Sequence, residues 1–137
     1  MEFPIFTSVH LVKGEDLNHH GTLYAGRTAE WFVESGFIAA ASMTKPENIV
    51  CLKIHGMTFS RPIRKGELPV FSSRVVLTGE TKIVSLIEIR VLGKLAVRGF
   101  ITFIHVDLDG KAVPHGLNFV PQTDEEKALY EEAQHLC

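Results

Sequence analysis

The strongest constraint on the fold is a long helical segment that carries no charge over its second half. No charged residue occurs between Glu34 and Lys45, and the residues between them are apolar or small nearly all round. Apolar residues recur at three- and four-residue steps over Arg27–Met43, which predicts a helix, and Pro46 predicts its end. Such a helix has to be buried on most sides. We therefore expect a sheet that curls around it, or a partner chain that covers part of it.

The remainder of the chain has the pattern of β-structure. Segments rich in Val, Ile and Phe, separated by short turns, predict four strands in an antiparallel meander: Ile49–Phe59, Leu68–Leu77, Ile83–Leu92 and Leu95–Val106. A first strand is predicted over Ile5–Val12. A charged helix with Thr123 as its N-cap is predicted over Asp124–His135. The fold class is α+β, and its open sheet edges and apolar helix predict at least a dimer.

Length and charge exclude several classes of protein. The chain has 137 residues, which favours one domain over residues 1–137, and its net charge of −2 argues against broad binding of nucleic acid or anionic membrane. No apolar run approaches the length of a membrane span, and the first residues lack a signal-peptide pattern, so we expect a cytoplasmic protein. Two isolated cysteines predict no disulfide framework: Cys51 is expected to be buried and Cys137 to be a frayed terminal thiol.

Glu34 is the most informative polar residue. It lies inside the predicted helix, with Trp31 three residues before it and Phe37 three residues after it, on the same side. A carboxylate among apolar groups suits a general base or acid near neutral pH. The alternative interpretation is a surface carboxylate that pairs with Arg27 or Arg90.

Asn18 precedes the predicted helix by a short loop that ends at Gly26. An Asn side chain can donate a hydrogen bond to a carbonyl oxygen, and the free N–H groups at a helix start can do the same. The alternative is that Asn18 and Gly21 only form a turn.

The other candidates are one histidine and a short basic cluster. His55, on the same strand face as Met57, is either a proton carrier or a hydrogen-bonded structural residue. Arg61 and Lys65 belong to a basic turn that either meets a phosphorylated small molecule or is an ordinary solvated turn. The adjacent pair at 19–20 has no partners with the spacing of metal ligands, so no metal site is predicted.

Three segments, in order along the chain, carry a family pattern. Asp16–Gly26 is similar to Asn-x-x-Gly-Thr-Leu-Phe-Gly-Gly, and the predicted helix with Glu34 follows it. His55–Glu67 is similar to Gly-Met-Thr-Phe-x-Arg-Pro-Val-x-x-Gly-Asp, and Phe103–Lys111 to Phe-Val-Ala-Val-Asp-x-x-Gly-Lys. Over residues 7 to 121 the chain resembles the hotdog-fold acyl-CoA thioesterases, and among them the short bacterial acyl-CoA hydrolases.

The resemblance implies one helix wrapped by an antiparallel sheet, in dimers or trimers of dimers with active sites between two subunits. Asn18 matches the family's catalytic Asn, and Gly26 matches the glycine whose N–H faces the thioester carbonyl. Two positions depart from the pattern. Ala25 replaces the first glycine of the pair, and Val33 occupies the position that usually holds the catalytic Asp. Glu34 is the next residue, about 100° further around the helix.

The function implied is hydrolysis of an acyl-CoA. Asn18 and Gly26 would polarise the carbonyl, while Glu34 of the facing subunit would activate a water or attack directly. CoA phosphates would lie near Arg61 or Lys65, and no cofactor is expected because CoA is part of the substrate. One alternative is a hydratase or dehydratase that uses His55 with Glu34. The other is a non-catalytic acyl-CoA-binding regulator, since the usual Asp is absent.

Overall fold

A long helix packs against a six-stranded antiparallel sheet in the computed structural model, which describes residues 2–136. The predicted α+β class and both predicted helices are confirmed, and the hydrogen-bonded turn at 46–48 follows the long helix. Cys137, predicted to be a frayed thiol, lies outside the described residues. The elements are β1 (Phe6–Val9), α1 (Ala25–Ala41), β2 (Ile49–Ile54), β3 (Thr58–Phe59), β4 (Val70–Thr78), β5 (Lys82–Val91), β6 (Lys94–His105) and α2 (Asp124–Leu136).

The strand order corrects the predicted four-strand meander. The sheet runs β1-β4-β5-β6-β2, with β3 also beside β6. Only β4, β5 and β6 form a meander, because β2 pairs with β6, with Ile49 opposite His105. The chain after β3 does not form a hairpin with β4. It crosses to the loop before α1, where the Ile63 carbonyl accepts the Leu23 N–H at 2.7 Å.

The strand predicted over Ile49–Phe59 is broken at residues 55–57. Gly56 has φ +137°, a conformation that favours glycine, and its carbonyl oxygen occupies the space where a side chain on Gly99 would lie. The backbone therefore leaves the ladder after the His55 N–H has bonded the Phe100 carbonyl at 2.9 Å. His55 lies in this break, so the predicted placement on a strand face with Met57 is wrong.

The sheet has two covered faces. Alternate residues along β5 point to opposite sides. Ile83 and Ile87 join the large core with α1, in which Phe32 is fully buried, while Val84 and Leu86 join a smaller cluster with Ala133 of α2. The half of α1 that carries no charge is thus packed against the sheet, as its composition requires.

The edge of the sheet formed by β2 is open. Strand β2 has a neighbour only on the β6 side, and from Val50 onward its residues are exposed, Leu52 at 63%. Cys51 lies there as an exposed free thiol, which corrects the prediction that it is buried. Partial burial still raises the pKa of the Cys51 thiol. Among residues 2–136 no helix is both long and apolar enough to cross a membrane.

Candidate active site

The Asn18 side chain is held in one orientation by the loop that precedes α1. Its Oδ1 accepts the N–H groups of His20 at 2.8 Å and Thr22 at 3.2 Å, and its Nδ2 donates to Thr22 Oγ1 at 3.0 Å. The Gly21 N–H donates to the Asn18 carbonyl at 3.1 Å, so the predicted turn is formed as well. An amide nitrogen carries two hydrogens, and Nδ2 has no second acceptor within residues 2–136. One N–H is therefore available to a ligand.

Asp16 joins this loop to the start of α1. Its carboxylate is only 3% exposed, accepts the Lys13 N–H at 2.9 Å and lies 3.3 Å from Nε of Arg27. Its main-chain carbonyl accepts the Tyr24 N–H at 2.8 Å. Asp16 is not recognisable as a site residue from the sequence, because an Asp in a polar stretch carries no periodicity. The only local signal is the three-residue spacing from Lys13, typical of a side chain that closes a turn.

The first turn of α1 presents free backbone donors. Tyr24 is the N-cap but its side chain makes no capping hydrogen bond, and the first helical bond runs from the Thr28 N–H to the Tyr24 carbonyl at 3.0 Å. In the described part of the chain, the N–H groups of Ala25, Gly26 and Arg27 have no acceptor. The ring of Tyr24 lies where a side chain on Gly26 would be, so glycine lets the ring lie against the helix start.

Asn18 and Ala25, the first residue of α1, border an open groove of about 370 Å³, which we call the Asn18 groove; Gly26 follows Ala25 but is not among the lining residues. Its walls are the Asn18 loop, the start of α1 and the segment from Phe59 to Ile63. The lining residues are Asn18, Thr22, Leu23, Ala25, Thr28, Phe59, Ser60, Arg61, Pro62 and Ile63. The groove thus combines an amide donor, an unsatisfied helix start and one cation on a mostly apolar surface, which suits a polar carbonyl on an apolar chain.

Glu34 lies on the exposed face of α1, outside the Asn18 groove of its own chain. The apolar surroundings predicted for it are not formed within residues 2–136, because Trp31 and Phe37 turn into the core and pack against Phe71 and Phe103. The alternative pairing is wrong as well.

Both arginines proposed as partners of Glu34 have other carboxylates. Arg27 pairs with Asp16 and, at 3.9 Å, with Glu30, while Arg90 lies 3.2 Å from Glu88. Glu34 therefore has no ion pair within residues 2–136, and its carboxylate is exposed.

His55 belongs to a different groove from Asn18. Its Nε2 lies 2.6 Å from Thr102 Oγ1, and it borders a groove with Arg98 and Glu132 on the α2 side of the sheet. Burial and the nearby charges of Lys53 and Lys82 lower the pKa of His55 below its usual value. The contact with Thr102 agrees with the second predicted interpretation, a hydrogen-bonded structural residue, and the role of His55 as a proton carrier stays a prediction.

The two cations predicted to bind phosphate differ in their position relative to the Asn18 groove. Arg61 borders the Asn18 groove, whereas Lys65 is exposed on the following turn and does not line it. In residues 2–136 no cluster of His, Cys, Asp or Glu side chains is placed to hold a metal ion. The site residues therefore divide into a group around Asn18, a carboxylate on the exposed helix face and a histidine elsewhere.

A central helix enclosed by an antiparallel sheet defines the hotdog fold, and a donor-lined groove at the helix start is suited to an acyl thioester. The chain belongs to the Thioesterase superfamily, whose family model matches residues 20–95. It is an enzyme of the thioester hydrolase class.

Relatives of known sequence or structure agree with this assignment. A Bacillus subtilis protein described as an uncharacterized acyl-CoA thioester hydrolase is 28% identical over 124 residues, covering 86% of this chain and 71% of the relative. An acyl-CoA hydrolase from Staphylococcus aureus, solved with butyryl coenzyme A, coenzyme A and coenzyme A disulfide, is 25% identical with a TM-score of 0.82 over 96% of this chain and 80% of that one. An apo-hexameric acyl-CoA thioesterase is 26% identical with a TM-score of 0.85 over 96% of this chain and 87% of that one.

Proposed function

We propose that the protein hydrolyses acyl-CoA thioesters to the free acid and CoA. The observation that carries this proposal is the fixed Asn18 amide, which has one N–H available beside the uncapped start of α1. Family membership and the acyl-CoA hydrolases among the similar structures support the thioester as the bond that is cleaved. The acyl chain would lie along the apolar part of the Asn18 groove.

The carbonyl oxygen of the thioester accepts two hydrogen bonds in this mechanism. One comes from Nδ2 of Asn18 and the other from the backbone N–H of Gly26. Both donors are held before substrate arrives, Asn18 by His20 and Thr22 and the helix start by Asp16. Preorganised donors stabilise the negative charge that develops on this oxygen, and the partial positive charge of the helix start adds to them.

The carboxylate comes from a second subunit. Glu34 does not line the Asn18 groove of its own chain, is exposed and has no ion pair within residues 2–136, so we propose that it enters the groove of a facing copy. There it acts on the carbonyl carbon, either through a water molecule or directly. A dimer, or a trimer of such dimers, supplies this arrangement. The open β2 edge and the hexameric state of a similar thioesterase support it.

The test compares two substitutions in a thiol-release assay over a panel of acyl-CoAs. Glu34→Gln should lower kcat by about 10²–10⁴ with an unchanged melting curve, since this is the usual contribution of a positioned general base. His55→Ala should leave hydrolysis nearly unchanged because its groove is separate. Val33→Asp combined with Glu34→Gln should recover part of the activity, by placing an acid at the family's usual position.

Other outcomes would identify other functions. Full activity of Glu34→Gln would show that this carboxylate is not catalytic. If the wild-type protein hydrates an enoyl-CoA without releasing free thiol, and His55→Ala loses this activity, the protein is a hydratase. Tight acyl-CoA binding without turnover over hours would identify a regulator.

A further inference from the structure

The hydroxyl group of Tyr24 lies at the start of α1 and is not used by the fold. Tyr24 is 57% exposed, and within residues 2–136 its hydroxyl forms no hydrogen bond. The pattern Asn-x-x-Gly-Thr-Leu-Phe-Gly-Gly has Phe at this place, so the hydroxyl is a feature of this chain and not of the pattern. A phenol hydroxyl carries one hydrogen that it can donate. This donor is therefore available to a ligand.

The backbone that carries the Tyr24 side chain is fixed on both sides. The Tyr24 N–H donates to the carbonyl of the buried Asp16 at 2.8 Å. The Tyr24 carbonyl accepts the Thr28 N–H at 3.0 Å and the Thr28 hydroxyl at 3.1 Å. The ring lies over Gly26, in the space that any larger residue at that position would fill. Tyr24 is thus held at the helix start before a substrate binds.

The Tyr24 hydroxyl is near enough to the Gly26 N–H for both to bond one oxygen atom. A Cβ built on Gly26 would lie 3.0 Å from the hydroxyl oxygen. Since a Cβ is about 2.5 Å from its own amide nitrogen, the hydroxyl oxygen lies within about 5.5 Å of the Gly26 nitrogen. Two donors that each approach one oxygen to about 2.9 Å are at most about 5.8 Å apart. The two groups therefore meet the distance requirement for a shared acceptor.

Tyr24 is also next to the Asn18 groove. Its neighbours in sequence, Leu23 and Ala25, both line that groove. A carbonyl oxygen that enters the groove and bonds the Gly26 N–H comes within reach of the phenol hydroxyl. Donors that are already in place stabilise the charge that develops on this oxygen, so they lower the energy of the transition state more than that of the bound substrate.

We infer that Tyr24 is a third donor to the thioester carbonyl, beside Asn18 and Gly26. Its O–H donates to the carbonyl oxygen, and this hydrogen bond strengthens as the carbonyl carbon becomes tetrahedral; no proton is transferred and no covalent bond to Tyr24 forms. This inference rests on the proposed function and deepens it, because it adds a catalytic residue to the same site. It also gives Gly26 a second role, since the missing side chain leaves the space in which the ring of Tyr24 lies.

The first experiment measures kcat and KM of Tyr24→Phe in the thiol-release assay. The variant loses the hydroxyl and keeps the ring, so kcat should fall about 10²-fold, the order of magnitude that one preorganised oxyanion donor contributes. KM should stay within about twofold, because the bond is strong only in the transition state. Tyr130→Phe, the same change at the only other tyrosine of the chain, is the matched control and should leave both constants unchanged. An unchanged kcat in Tyr24→Phe, or an equal loss in both variants, would overturn the inference.

The second experiment tests whether the hydroxyl acts from its position over Gly26. Gly26→Ala puts a methyl group into the space of the ring and should displace it. Tyr24→Phe should then have little further effect on kcat in the Gly26→Ala background, although it lowers kcat in the wild-type background. A loss by the same factor in both backgrounds would show that the hydroxyl does not act from this position, and would reject the inference.

An infrared measurement needs no turnover. The probe is a ketone analogue of an acyl-CoA, in which a methylene group replaces the sulfur and the carbonyl carbon is isotopically labelled. Hydrogen bonds to a carbonyl oxygen lower its stretching frequency, so the bound probe should absorb at a lower frequency in the wild-type protein and in Tyr130→Phe than in Tyr24→Phe. Equal frequencies in all three proteins would overturn the inference.

The two measurements together separate this inference from the proposed function. A carbonyl frequency that depends on Tyr24, with no hydrolysis of any thioester, would keep the third donor and reject the hydrolase. Hydrolysis that is unchanged in Tyr24→Phe, with equal carbonyl frequencies, would reject the third donor and keep the hydrolase.

Discussion

The two helices lie on opposite faces of one sheet and are held there by different forces. Helix α1 has no charge from residue 35 to its end and buries Phe32, Gly36 and Ala40 against the concave face. Six of the 13 residues of helix α2 are charged, and it buries only Ala133 completely. Besides this small apolar contact it forms ion pairs with the strands beneath it, from Arg74 to Glu125 and Glu126 and from Arg98 to Glu132.

The difference separates what forms the fold from what covers it. Removing α1 would expose the whole concave core, so its loss is equivalent to unfolding. Each exposed ion pair contributes little to the free energy of unfolding, and the apolar cluster that α2 covers is small. We therefore expect α2 to open locally while α1 and the sheet stay folded.

The largest expected effect is on α1. Phe32→Ala removes a fully buried ring that lies against Gly99, and should lower the free energy of unfolding by about 3–5 kcal/mol. Tyr130→Ala, on the half-buried side of α2, should cost about 1–2 kcal/mol. Urea unfolding of both variants measures the two costs. Equal costs would contradict the division between the helices.

A smaller effect is expected where α1 itself depends on a charge. Asp16→Asn removes the buried partner of Arg27 but keeps an oxygen for the Lys13 N–H, and should lower stability by about 1–3 kcal/mol. It should also lower kcat, because Asp16 connects the Asn18 loop to the helix start. Glu30→Gln is the control: this exposed second partner of Arg27 should matter by less than about 0.5 kcal/mol. If Asp16→Asn adds to the kcat loss of Asn18→Ala in the double variant, Asp16 does not act through the Asn18 loop.

Arg98 tests the attachment of α2. It makes two 2.8 Å hydrogen bonds to Glu132 and lies over the ring of Phe100. Arg98→Met should change the global free energy of unfolding by about 1 kcal/mol or less, and yet increase hydrogen exchange of the α2 amides. Arg90→Met, whose partner Glu88 is on the sheet, should leave that exchange unchanged. An increase that extends equally through α1 would show that the two helices open together.

The smallest effect is expected from acid. The N–H groups of Gln122 and Thr123 lower the pKa of Glu126, and the Arg98 hydrogen bond lowers the pKa of Glu132, both below the ordinary value of 4.5. Their contribution is therefore complete above about pH 4.5 and is lost as the pH falls through the lowered pKa values. NMR signals of α2 should weaken there, while fluorescence of the only tryptophan, Trp31 beside the core, stays constant. Simultaneous loss of both signals would show one cooperative transition.

The parts of the fold that sequence predicts well are those with a local cause. Helix α1 is correct within two residues at each end because its period and lack of charge are properties of the segment itself. The capping box of α2 is also local, since Glu126 N–H and Thr123 Oγ1 lie 3.0 Å apart and the reciprocal bond is 3.1 Å. The pairing of β2 with β6 is not local, because it joins residues far apart along the chain, such as Ile49 and His105.

The same distinction applies to the site. The Asn18 loop is encoded by neighbouring residues, so its motif predicts both a turn and a donor beside the helix. The role of Asp16 depends on Arg27, eleven residues further on, and is visible only when the two are folded together. Likewise, the surroundings of Glu34 are decided by how Trp31 and Phe37 turn on the helix, which period alone does not determine.

The contact between Gly56 and Gly99 also limits how the sequence can drift. Any side chain at 99 would meet the Gly56 carbonyl and the ring of Phe32 together, one a backbone atom and the other the centre of the core. In a library of random substitutions, position 99 should therefore accept glycine alone, while the exposed Gly14, which has open space around it and no positive φ, should vary freely. Substitutions at the break after β2 and substitutions in the core around Phe32 are therefore constrained by the same contact.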